Sequence, residues 1–118
     1  MRERKAPMSK RRFLGEFEQM VLLAILQQGE RAFGLDVRRE LERSAGKNVS
    51  RGAFYTTVER LQRKGVLDWE LLPPAGDRGG AAQRRFRVTK AGVEALRDAR
   101  RALMRLWRGL DDVLESGS

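Results

Sequence analysis

The tail of this chain constrains it most. Leu96, Ala99, Leu103, Leu106, Leu110 and Val113 recur at spacings of 3, 4, 3, 4 and 3. That is a heptad seam, and a heptad seam predicts a helix that packs along a partner helix. Trp107 and Leu114 widen the seam on one side. The pattern predicts a continuous helix, capped by Thr89 and running to about Leu114. A chain of 118 residues is too small to bury such a helix on itself. Burying about six seam side chains, at about 1.5–3 kcal/mol each for the larger ones, can outweigh the cost of association. A two-fold homodimer is the expectation, and a helix folded back on a monomer is the alternative.

Upstream of the tail, apolar residues mark out compact elements. Phe17, Met20, Val21 and Ala24 share one face of a helix expected over Phe13 to Gln28. Leu22, Leu23, Ile25 and Leu26 make its second half apolar nearly all round, so that half is expected to be buried. Gly29 stops it. Phe33-Gly34-Leu35 leads into a second helix, with Val37, Leu41 and Ala45 as its buried stripe and Gly46 as its end. Ser50 is a good N-cap for a third helix. Phe54, Val58 and Leu61 form its apolar stripe, and Gly65 ends it.

Two strands follow. Leu67, Trp69 and Leu71 alternate with Asp68 and Glu70. Pro73-Pro74 breaks that strand, and Gly76, Gly79 and Gly80 make a turn or tip. Gln83 to Val88 returns, with Phe86 and Val88 on one face and Arg85 and Arg87 on the other.

Helix, helix, helix, hairpin, long helix is the order of a winged helix. The expected fold is α+β and mostly helical: a winged helix-turn-helix with a long C-terminal dimerisation helix. It divides into a basic arm over 1–12, the winged domain over 13–88 and the dimerisation helix over 89–115.

Charge narrows the partner. The chain carries 25 Lys and Arg against 16 Asp and Glu, a net +9, which points to a polyanion and above all to nucleic acid. It has no Cys and no His. Disulfides, Cys/His metal sites, thiol nucleophiles and His bases are thereby excluded. No phosphate loop is present, so no enzyme, metal or cofactor is expected. The longest apolar run, Met20 to Leu26, has seven residues, whereas a membrane helix needs roughly 20. A cytoplasmic protein is the expectation.

The third helix is the candidate reader of double-stranded DNA, because a helix fits the major groove and its first turn meets base edges. Ser50, Arg51, Gly52, Tyr55 and Thr56 lie at that end. Gly52 allows close backbone approach. Arg51 can reach guanine or a phosphate, and the Tyr55 and Thr56 hydroxyls suit phosphate or base edges. Arg60, Arg63 and Lys64 lie further along, suited to backbone charge. Each has a duller alternative: Arg63 paired with Glu59, Arg60 and Lys64 as solvated charges, Tyr55 half buried against the second helix. On the hairpin, Arg78, Arg84, Arg85 and Arg87 are placed to meet phosphates or the minor groove, or else to protect the sheet edge. A dimer of such modules predicts a palindromic operator with half-sites about one DNA turn, or a multiple, apart. The competing reading is a dimeric interaction module that binds protein or RNA.

The same residues resemble the PadR family of bacterial regulators, over about residues 14–114. That family carries Ser-x-Gly-Thr-Leu-Tyr-Pro on its third helix, then Arg-Leu-Glu and Gly. Here stand Ser50-Arg51-Gly52-Ala53-Phe54-Tyr55-Thr56, Arg60-Leu61-Gln62 and Gly65. Phe33-Gly34-Leu35 resembles the entry to the family's second helix, and Arg84 to Gly92 its wing strand leading into a Thr-x-x-Gly helix start. Thr56, Gln62, Arg85-Phe86 and Ala81-Ala82 depart from the pattern. The resemblance implies a dimeric repressor, joined through a single C-terminal helix. Some members of that family bind a small flat aromatic effector at the dimer interface through a Trp on that helix; here that role would fall to Trp107, with a packing Trp as the alternative.

Overall fold

A computed structural model describes residues 13–74 and 81–116. The basic arm, the hairpin tip and Arg78 lie outside the described residues. Helix α1 spans Glu16–Gln28 and a single 3₁₀ turn Gly29–Arg31. Helix α2 spans Gly34–Ala45 and α3 Arg51–Arg63. Strands β1 Leu67–Leu72 and β2 Gln83–Val88 form the hairpin. Helices α4 Lys90–Trp107 and α5 Asp111–Ser116 complete the order.

Local chemistry explains the boundaries. Helix α1 begins at Glu16 rather than Phe13 because Glu18 reaches back to accept from the Gly15 N–H at 2.9 Å, closing the first turn. Ser50 caps α3 by accepting from the Ala53 N–H at 3.1 Å. Thr89 caps α4 in the same way, from the Gly92 N–H at 3.0 Å. Gly46 and Gly65 leave their helices at φ +66° and +79°, where a Cβ would be strained.

Strands β1 and β2 pair antiparallel, with Leu67 opposite Val88, Trp69 opposite Phe86 and Leu71 opposite Arg84. Asp68 opposite Arg87 and Glu70 opposite Arg85 occupy the other face. The Phe86 N–H also donates to the Ala32 carbonyl at 2.9 Å, tying the hairpin to the start of α2. The core is aliphatic around two rings. Val21, Leu22, Val37, Leu41, Val58, Leu61 and Val66 are buried, and Phe54 meets Phe86 edge-on at 5.8 Å.

Three expectations change. Leu23 and Leu26 are 49% and 47% exposed, because α1 turns one side outward once α2, α3 and β2 have covered the other. Ala45 is also exposed, at the far end of its helix. The last helix is not continuous to Leu114. Arg108 leaves helical geometry at ψ 125° and Gly109 takes φ +78°, so α4 ends at Trp107. Leu110, Val113 and Leu114 therefore lie beyond a bend. Along α4 itself, Leu96 and Ala99 are half buried near the domain, while Leu103 and Leu106 project into solvent.

Candidate nucleic-acid interface

The fold brings the first turn of α3 and the wing strand β2 to one side of the molecule. Arg51 and Thr56 are exposed there. A Cβ built on Gly52 would meet no atom within 4 Å, so the backbone is open to an approaching partner.

Tyr55 is half buried against the second helix, the alternative named for it, and its hydroxyl does not face the approach surface. The ring packs edge-on against Phe54 at 5.2 Å and tilted against Phe86 at 6.2 Å. Its hydroxyl lies over the start of α2, where a Cβ on Gly34 would fall 2.6 Å from Oη. The Phe33-Gly34-Leu35 entry thus needs a glycine to make room for Tyr55. What Tyr55 offers outward is its ring: the Arg51 and Arg84 guanidiniums sit 5.2 and 5.3 Å from its centroid. Arg84 also stacks on Trp69 at 4.5 Å, and the Trp69 Nε1–H donates to Gln62 Oε1 of α3 at 2.9 Å.

The remaining cations divide sharply. Arg60 Nε and Lys64 Nζ donate to the Glu18 carboxylate at 2.8 Å each, and Lys64 also donates to the Phe13 carbonyl at 2.7 Å. On the wing, Arg85 pairs with Glu70 at 2.5 Å and Arg87 with Asp68 at 3.5 Å. Arg51, Arg63 and Arg84 have no carboxylate partner among the described residues. Arg63 is not paired with Glu59.

Residue order alone concealed Glu18. It is 7% exposed yet charged, and it ties α1 to the last turn of α3. The available signal was an acid three residues after Gly15 at the edge of an apolar face. Asp68 and Glu70 were equally hidden as partners, although their alternation along β1 matches that of Arg85 and Arg87 along β2. Trp107, the candidate for an aromatic effector, closes α4 with 42% of its surface open.

Burial pushes the Glu18 carboxyl up, but hydrogen bonds from Lys64, Arg60 and the Gly15 N–H outweigh it and hold the group below its ordinary value. A carboxylate with a depressed folded pKa stabilises the fold above its unfolded pKa, about 4.3, and that contribution fades as pH falls through the folded value. Glu18→Gln is expected to cost about 1–2 kcal/mol at pH 7, the half-exposed Arg60 keeping the loss small. Urea melts from pH 7 to pH 3 are expected to show the two proteins converging in acid. A constant gap would remove the ion pair from the account.

The model of the PadR-like family of transcriptional regulators matches residues 22–98. The chain belongs to that family.

This PadR-like chain is also similar in fold to solved regulators. One is a PadR-like transcription factor from Bacteroides fragilis, at a TM-score of 0.61 and 22% identity, covering 86% of this chain and 89% of that one. Another is a PadR-family regulator from Eggerthella lenta, at 0.58 and 24%, covering 85% and 87%. The complex structure of hsRosR-S4 matches at 0.62 and 24%, covering 92% and 86%. No curated protein matches the sequence. The PadR-like assignment makes the chain a DNA-binding transcriptional regulator with a winged-helix fold. No helix among the described residues is long and apolar enough to cross a membrane.

Proposed function

We propose that this regulator is a homodimeric repressor that reads a palindromic operator with α3 and the wing. The observation that carries the DNA-contacting part is the division of the cations. Arg51 and Arg84 both rest on the Tyr55 ring, at the junction of α3 and β2, with their charges unspent on any carboxylate described. Ser50, Gly52 and Thr56 flank them and complete the approach surface, and Arg63 extends it along α3. Arg60, Lys64, Arg85 and Arg87 add to the positive field, but each already holds an acid and would have to share it.

The tail supports the dimer. Leu103, Leu106, Leu110, Val113 and Leu114 are exposed apolar residues near the end of a basic chain, and a second copy would bury them. A dimer clamped over a promoter excludes polymerase from the same stretch, which is the simplest route to repression.

The test is binding of the purified protein to the duplex upstream of its own gene, in competition with random duplex at physiological salt. A preference of about a thousandfold is expected. Arg51→Ala is expected to weaken binding to that duplex about tenfold or more. Arg87→Ala, which gives up a paired and exposed charge, is expected to change affinity less than threefold. Equal affinity for every duplex would overturn the sequence-specific reading, and preference for RNA or a protein partner would replace it.

A further inference from the structure

Tyr55 is where the two halves of the interface meet. Arg51 comes from α3 and Arg84 from β2, and both guanidiniums rest on this one ring. Trp69 carries the other contact of Arg84 and is itself fastened to α3 through Gln62. Arg84 lies on the hairpin face that carries Phe86 and Val88, turned toward the domain, whereas Arg85 and Arg87 are on the opposite face and spend their charge on Glu70 and Asp68.

Stacking and ion pairing use different parts of an arginine. An ion pair consumes the in-plane N–H donors. A ring engages the flat face of the guanidinium and leaves those donors free, while restricting where they point. The Tyr55 hydroxyl cannot serve the same surface, since it lies over Gly34.

We propose that Tyr55 is a positioning residue whose ring holds Arg51 and Arg84 as one two-armed phosphate clamp, bridging reader helix and wing onto the backbone of a single DNA strand. This rests on the DNA-binding surface proposed above and assigns that surface a mechanism. The clamp couples the wing to the reader helix, so that seating one seats the other. It contacts phosphate, and it acts on register and affinity rather than on base choice.

The experiment is a double-substitution cycle on duplex binding, read by fluorescence anisotropy at several salt concentrations. Arg51→Ala and Arg84→Ala are each expected to weaken binding about tenfold, and the double variant only about 10–30-fold rather than about 100-fold, because neither arm holds the phosphates alone. The logarithmic salt slope is expected to fall by about 1–2 in either single variant and little further in the double. Arg84→Lys keeps the charge without the planar stack, and is expected to lose most of what Arg84→Ala loses. Tyr55→Phe is expected to bind about tenfold tighter than Tyr55→Leu, with the thermal melt of each recorded to register any loss of folding. Independent, multiplicative losses for the two arginines, or Arg84→Lys binding like the unaltered protein, would overturn the clamp while leaving DNA binding intact. Failure of the unaltered protein to hold any duplex would overturn the interface itself.

Discussion

Leu106→Glu is expected to yield a folded monomer that binds its upstream duplex about a hundredfold more weakly. Leu106 is 74% exposed on α4, so a carboxylate there disturbs nothing within the chain. In a two-fold dimer the same position meets its counterpart or a neighbour on the seam, and the substitution buries two charges against leucine. That costs far more than the seam leucine contributes. Losing the dimer removes the second reader helix, and with it the gain from engaging both half-sites at once. Sedimentation equilibrium at micromolar concentration measures the first effect and anisotropy the second. A dimer that survives the change would move the interface away from α4. In that event the exposed Leu23 and Leu26 of α1 would be the next surface to probe.

Gly92→Ala is expected to destabilise the fold by about 2–3 kcal/mol. A Cβ at Gly92 would lie 2.3 Å from the Val66 carbonyl oxygen and 2.7 Å from Val88 Cγ1. The carbonyl has little room to retreat, because it also accepts from the Thr89 N–H at 3.1 Å. The first turn of α4 must therefore lift off the hairpin. Urea denaturation measures the loss, and an unchanged midpoint would mean that α4 docks differently. The direction of α4 sets the spacing of two reader helices in a dimer. For that reason, operator affinity is expected to drop in this variant even under conditions where it remains folded.

Periodicity and capping made most of the architecture legible. The apolar stripe of Phe54, Val58 and Leu61 and the Ser50 cap located α3, and the alternation from Leu67 to Leu71 located β1. Both rest on contacts between near neighbours in the chain, which spacing encodes directly. The end of α4 escapes the pattern for the same reason. Leucines at heptad spacing continue through Gly109, and the pattern counts positions without sensing the backbone turn that one glycine permits. The exposure of Leu23 and Leu26 escapes it too, because an apolar residue shows that it can be buried, not that a neighbour is present to bury it.

The candidate site divides along the same line. Residue types and order alone placed a basic helix carrying Tyr55 and a basic hairpin, because charge and local propensity are properties of the residues themselves. Which cations are already engaged was decided by packing across distances of 15 to 46 residues along the chain, as in Arg85 with Glu70 and Lys64 with Glu18. So was the meeting of Arg51 and Arg84 on Tyr55. Such pairings depend on strand register and helix crossing, which arise only when the core closes, and no spacing along a single segment records them.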